Sequence, residues 1–287
     1  MQKKNLGALY VLLAAFCWGL IGLFTRRLLS AGATSGDVVA IRNCGALIML
    51  SVYFALWNKK VFHVKRRDLP IFFGTGVVSV VFFTLCYFSC QQRCSLAVSA
   101  ILLYTAPAMV VVMSALVFRE KITGKKVVAL VLALLGCASV SGLWDGGASA
   151  DAIGILLGLG SAFFYALYSI FARFALKKYE PFAVVYWTFV FAGPAALFVT
   201  DFERAAGILS APALLLTAAA LAFVSTVLPY IFYTRGLSMM EGGKASILAS
   251  LEPVVAAFVG IFAFGEPASA AVFAGLACIL GCVYVLR

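Results

Sequence analysis

The chain has 287 residues, of which 64% are hydrophobic and 11% charged, and its mean hydropathy is +1.08. A soluble domain carries roughly 25% charged residues, and no water-soluble core could hide this much apolar surface. A soluble enzyme or nucleic-acid-binding protein is excluded despite the net charge of +11, which leaves a polytopic membrane protein.

Each bilayer crossing by a helix needs about 20 apolar residues, so the chain has room for about ten. In chain order the predicted spans are Leu6–Leu28, Val38–Trp57, Leu69–Cys90, Ser95–Phe118 and a shorter Val127–Leu143. The second half gives Ile153–Leu176, Phe182–Thr200, Ala213–Thr234, Ala245–Phe264 and Ala268–Leu286. No intervening stretch is long enough for a soluble domain. The start, Met-Gln-Lys-Lys before an apolar run, mimics a signal peptide. The run is too long for a signal core and lacks a small-residue cleavage site, so it reads as an uncleaved first helix.

With the N-terminus in the cytoplasm, 17 of the 22 basic residues fall in inner segments. Arg26, Arg27, Arg93 and Arg204 fall outside, and Arg42 lies within the second span. Basic residues in short loops stay on the cytoplasmic side. The expectation is a multi-pass protein of the cell (plasma or inner) membrane with both termini inside. Topology accounts for the basic excess without a nucleic-acid partner. The eight cysteines lie in or beside spans and imply no redox compartment. Cys86, Cys90 and Cys94 share one helical face, which without histidine partners reads as a small polarizable packing surface rather than a metal stripe.

The two halves repeat. At an offset of 147, Gly7, Leu9, Leu12, Ala15, Phe16, Phe24 and Arg26 match Gly154, Leu156, Leu159, Ala162, Phe163, Phe171 and Arg173. At 146, Ser79, Tyr87, Ile101, Leu102, Pro107, Phe118 and Glu120 match Ser225, Tyr233, Ile247, Leu248, Pro253, Phe264 and Glu266. Apolar matches come easily in this composition, but shared Pro, Glu, Arg and Tyr at fixed spacing do not. The halves, residues 1–143 and 153–287, each hold five predicted spans, an odd number, so the second copy is inverted. Inverted repeats are the architecture of secondary transporters, with a site near the midplane between the repeats. The expected fold is therefore an all-α bundle of ten transmembrane helices in two inverted five-helix repeats.

The segment from Ser246 to Glu266 resembles the second-repeat signature of the EamA-type, ten-helix branch of the drug/metabolite transporter superfamily. Its first-repeat version is Tyr104-Thr-Ala-Pro107 through Phe118-Arg-Glu120-Lys-Ile-Thr123, and Trp18-Gly19 and Arg42 also fit. The resemblance implies export of amino acids, related metabolites or drugs through a cavity lined mainly by spans one, three, four, six, eight and nine. Two departures stand out: Arg119 replaces the usual small residue before Glu120, and Tyr165-Ala166 replaces a Trp-Gly pair.

The acidic residues sort by position. Asp37, Asp68, Asp145, Asp151, Glu180, Asp201, Glu203 and Glu241 fall in loops, Glu120 and Glu266 at span ends, and Glu252 inside a span, about 12 Å from its inner end at 1.5 Å per residue. An ionisable group at that depth costs ~3 kcal/mol or more and is normally paired or functional. Glu252 would bind a substrate amine, carry a coupling proton, or clamp backbone groups beside Pro253. Its face, Ala245, Ala249, Ala256 and Gly260, is a small-residue stripe. Arg42, roughly 6 Å from its outer end, would snorkel to the surface or pair with Glu252 or a substrate carboxylate.

Trp18, Tyr87, Tyr104, Tyr165, Tyr168, Ser246 and Ser250 fall on polar or aromatic stripes and complete the substrate-binding candidates. Packing is the alternative for each. Pro107 and Pro253 are hinge candidates, since each frees a carbonyl and bends its helix. Catalysis has no inventory. His63 is a lone histidine in a basic loop, no two aspartates share the spans, and there is no phosphate-binding loop. The expected partners are a small-molecule substrate and the lipid bilayer, with proton coupling open and no obligatory protein partner, cofactor or metal. Secondary export of amino acids or related amphipathic compounds leads, ahead of a multidrug exporter or facilitator of the same fold, a channel, or a non-transporting scaffold.

Overall fold

The computed structural model describes residues 2–143, 149–266 and 268–286, with side chains from residue 5 onward. Asp145, Arg287 and the side chains of Lys3 and Lys4, which entered the sequence reading, lie outside the described residues. The hydrophobic helical segments are α1 (Asn5–Ser30), α2 (Ser35–Trp57), α3 (Arg66–Gln91), α4 (Leu96–Phe118), α5 (Gly124–Val140), α6 (Ala152–Ala175), α7 (Pro181–Val199), α8 (Pro212–Leu237), α9 (Gly242–Phe264) and α10 (Ala270–Val285). Among the described residues there is no strand. Eight of these segments are long and apolar enough to cross a membrane. At 17 and 16 residues, α5 and α10 reach about 25 Å, short of the ~30 Å hydrocarbon core.

Local chemistry sets the ends. Thr34 and Asp37 form a capping box that starts α2 three residues before its predicted start. Ser95, Thr123, Asp151 and Ser269 each accept a backbone N–H at the start of α4, α5, α6 and α10, so four orphan-donor sets gain a partner. At the other end, α4 stops at Arg119 with φ 56° and α9 at Gly265 with φ 68°. The left-handed turn is natural for glycine and costly for arginine, which is the structural meaning of the departure at Arg119.

Asp37 is not a loop residue. It is fully buried in the first turn of α2, where it accepts from Arg204 Nε at 2.6 Å, Thr200 Oγ1 at 2.8 Å and the Asp201 amide at 3.1 Å. It thereby ties the short helix Phe202–Leu209 to the bundle. Asp68 is likewise buried, held by Lys178 and Tyr179 at 2.5 and 2.7 Å.

Three of the predicted spans are not continuous helices, and a turn at Leu20 interrupts α1. Tyr104–Thr105 interrupts α4, and Ser250–Leu251 interrupts α9, just before Pro107 and Pro253. Proline has no N–H to donate and its ring collides with the carbonyl four residues back. The small-residue stripe predicted through Glu252 is therefore broken at that residue. π-Helical turns occupy Gly74–Val81 in α3 and Phe223–Val227 in α8. The α4 and α9 breaks and both π segments correspond under the repeat offset, whereas the turn at Leu20 has no counterpart in the continuous α6.

Glycine sets the close contacts. Cys94, Cys90 and Cys86 pack on Gly154, Gly158 and Gly160 of α6, so this stripe is a packing face. Arg26 pairs with Glu266 at 2.5 Å and its repeat equivalent Arg173 with Glu120, and these pairs sit at opposite ends of α9. That is the arrangement an inverted duplication generates.

A Cβ at Gly136 of α5 would lie 2.5 Å from Ile279 Cγ1 and 2.8 Å from the Gly275 carbonyl of α10, whereas Gly22 has nothing within 4 Å. Gly136→Ala is expected to destabilise the fold by about 1–3 kcal/mol through overpacking, and Gly22→Ala to leave it unchanged or raise it by up to about 1 kcal/mol. Unfolding midpoints of the two variants in mixed micelles check the contrast.

Candidate functional site

A cavity of about 330 Å³ opens among α1, α2, α3, α4, α6, α8 and α9. It runs from Glu252 and Tyr165 in the bundle middle to Leu29, Ser35 and Gln91 at one end. The site is built where helices fail to continue. The break in α9 makes Glu252 the first residue of a new helix, where the helix dipole favours a carboxylate. Gly19 of α1 lets this happen: a Cβ there would collide with Val255 and the Glu252 carbonyl. In the other repeat Ala166 of α6 packs against Ala106, the equivalent of Glu252, within one buried cluster. The acid thus has no counterpart in the first half.

Arg42 lines the same cavity from α2, and its Nε is buried without a hydrogen-bond partner. It does not snorkel. Because α2 starts at Ser35, Arg42 lies about 10 Å into the helix, deeper than the sequence suggested. Arg42 and Glu252 feel each other's charge, yet no ion pair within 4.0 Å joins them. Among the described residues Glu252 takes no hydrogen bond from backbone beside Pro253, so the clamp reading fails. One cavity therefore presents a guanidinium and a carboxyl group held apart.

The wall between them is aromatic. Trp18, Tyr87, Tyr104, Tyr165, Ser246, Ser250 and Pro107 all face the cavity, together with Glu252 and Arg42. Tyr165 meets Phe83 edge-on at 5.3 Å. Tyr168 is not on this wall. Its hydroxyl is 2.7 Å from Thr234 Oγ1 and its ring packs on Tyr230 at 5.1 Å, in the floor that closes the cavity. Trp18 and Tyr233 belong to the same floor, at 5.3 Å, and Ser169 shares a hydrogen bond with Tyr233 at 2.9 Å. Pro253 also lies behind the wall, buried under the break it causes. Among the described residues no group of three or more His, Cys, Asp or Glu side chains is placed to hold a metal.

The sequence reading missed Tyr230, Gln91 and, beyond Arg42, the contribution of α2. Matching the repeats singled out Ser225 and Tyr233 on α8, whereas Tyr230, downstream of the π-helical turn, is the residue of that helix that lines the cavity. The capping box before α2, a Thr and an Asp three residues apart, was the available signal that Ser35, Val38 and Val39 belong to that helix.

The pattern that defines the EamA-like transporter family matches residues 5–142 and again residues 152–287. The chain belongs to this family. It is 26% identical to an "Uncharacterized transporter" of Archaeoglobus fulgidus, over 97% of this chain and 95% of the relative. It is also 26% identical to "Uncharacterized transporter YwfM" of Bacillus subtilis, over 96% and 92%. "Uncharacterized inner membrane transporter YicL" of Salmonella typhimurium is 25% identical over 92% and 89%. A crystal structure with 19% identity superposes with a TM-score of 0.82 over 97% of this chain and 95% of that one, which establishes the fold alone. The protein is a multi-pass membrane protein of a transporter family.

Removing one partner of a buried ion pair costs about 3–5 kcal/mol. Because neither Arg42 nor Glu252 has a partner to orphan, Glu252→Gln and Arg42→Met should each change the unfolding free energy by less than about 1 kcal/mol. A loss of the larger size in a denaturant titration would mean that the two charges are paired.

Proposed function

We propose that the protein is a secondary transporter that exports amino acids or related amphipathic compounds by alternating access at the repeat interface. The observation that carries this reading is the separated pair, Arg42 and Glu252, in one aromatic-walled cavity. A substrate carboxylate would meet Arg42, a substrate ammonium would meet Glu252, and an apolar side chain would lie against Tyr87, Tyr104 and Tyr165. Each charge-assisted hydrogen bond is worth about 1.5–3 kcal/mol. A buried, unpaired charge relieved by an oppositely charged group gains more than one already solvated. Without substrate, Glu252 would take up a proton, which is how it would couple export to a proton gradient.

With both termini in the cytoplasm, as the basic residues favour, the cavity opens outward and its floor of Trp18, Tyr168, Tyr230 and Tyr233 closes the inner side. A closed floor supports alternating access over a continuous channel. The unbroken aromatic wall favours one second reading, a facilitator or exporter of apolar drugs, which would use the wall and ignore the charges.

Uptake of a labelled amino-acid panel into proteoliposomes, with and without an imposed pH gradient, tests the proposal. Saturable, gradient-driven accumulation is expected. Glu252→Gln should abolish the gradient dependence, and Tyr165→Ala should raise KM about tenfold by removing one stacking surface. An unchanged gradient dependence in folded Glu252→Gln protein removes Glu252 from coupling. Transport of uncharged apolar drugs but of no amino acid supports the second reading.

A further inference from the structure

Two side-chain clusters left out of the cavity carry the strongest signs of the duplication. At one end of α9, the Glu120 carboxylate at the end of α4 accepts from the Gly242 and Gly243 amides at 3.0 and 3.3 Å. It also pairs with Arg173 of α6, and lies 3.6 Å from Lys126, which bonds Glu241 at 2.7 Å. Glu120 and Lys126 side chains are each 6% exposed. At the other end of α9, Glu266 pairs with Arg26 of α1, and these side chains are 44% and 51% exposed.

The clusters are the same device. Arg173 lies over Phe118 at 4.3 Å and Arg26 over Phe264 at 4.4 Å. Each glutamate follows a left-handed residue, and its amide returns to an equivalent carbonyl: Glu120 to Ser114 at 3.3 Å, Glu266 to Gly260 at 3.1 Å. What differs is the docking. Glu120 has crossed to the start of α9, which Gly242 and Gly243 make approachable, since a Cβ at Gly242 would lie 3.0 Å from Ser114 Oγ and 3.2 Å from Arg173 Cδ. Glu266 instead lies back over its own helix, in space that a Cβ at Gly260 would fill. Its symmetric target, the amides of Leu96 and Ala97 at the start of α4, is not engaged among the described residues.

We propose that Glu120 and Glu266 are two copies of one latch that seal opposite ends of the cavity in turn, and that the substrate-free protein rests with the Glu120 latch shut. The inference rests on the alternating-access reading. The bias follows from composition. The partners that Glu120 gains beyond its arginine are the Gly242 and Gly243 amides and Lys126, with Glu241 holding that lysine in place, whereas the equivalent positions around Glu266 hold Leu96, Ala97, Val272 and Ser95. A buried carboxylate with two amides and two cations outcompetes an exposed one with a single arginine.

Hydrogen exchange read by mass spectrometry on the full chain in lipid nanodiscs, without substrate, tests the latch. In the unaltered protein the amides at the start of α9 should be better protected than those at the start of α4. Glu120→Gln should speed exchange at the start of α9 about tenfold and slow it at the start of α4, as the opposite end closes. Gly242→Ala, which wedges the latch without removing a charge, should give the same reciprocal pattern, and Glu266→Gln should leave the α9 start unchanged. Faster exchange at both ends in both variants, or a change at neither, overturns the proposal. No substrate is present, so the outcome is independent of what the protein is found to carry.

Discussion

Glu252 stands where proline forces a membrane helix to stop and begin again, and much of the site follows from that restart. The break in α9 frees backbone groups, supplies a helix N-terminus beneath the carboxylate, and turns Ser246 and Ser250 toward the same space. Close approach of α1 through Gly19 fixes the acid from behind. The opposing charge arrives from α2, far enough away that the two attract without pairing. A charge in so apolar a setting is tolerated when a dipole, a proton or a counter-charge relieves it, and here the protein supplies the first and leaves the others to be found. The same interruption in α4 carries Ala106 in place of the acid, so the duplicated frame has become asymmetric where chemistry is needed.

Around this centre the structure separates polar groups that hold the fold from those left unsatisfied. Ser79, Ser161 and Ser225 return their hydroxyls to the Gly74, Gly158 and Cys17 carbonyls, and Tyr168 is spent on Thr234. Asp37 and Asp68, fully buried, are held by cations and hydroxyls and anchor loops at opposite ends of the bundle. Against that background the Nε of Arg42, the side-chain amide of Asn43 and the Ser114 hydroxyl are buried without a partner among the described residues, and of these three residues Arg42 is the one that lines the cavity.

Much of this was legible in the sequence because a membrane span writes its length and polarity directly into composition. Predicted and observed helix limits agree within three residues, and the mid-span acid and most of the cavity wall were identifiable from stripes and repeat matches. The misreadings have definite physical causes. Arg42 was judged from an apolar run that begins at Val38, while a capping box starts the helix earlier and carries the arginine deeper. Tyr168 shares a helical face with Tyr165, but its hydroxyl finds Thr234, a contact between distant segments. Tyr230 was hidden because it has no matched tyrosine in α3, where Thr84 occupies the equivalent position on the cavity. The docking of Glu120 on the amides of α9 was likewise invisible, although the matched Arg, Phe and Glu positions showed that something there had been kept in duplicate.

The central claim is that one cavity offers separated, unpaired positive and negative groups to a single dipolar solute. Binding calorimetry with an apolar amino acid, its decarboxylated amine and its deaminated acid tests this most directly, with no need of a gradient or a membrane potential. The account predicts that the zwitterion binds at least about tenfold more tightly than either analogue, since each analogue forfeits about 1.4 kcal/mol or more. It also predicts that Arg42→Met erases the advantage over the amine and Glu252→Gln the advantage over the acid. Equal affinity for all three compounds would contradict it.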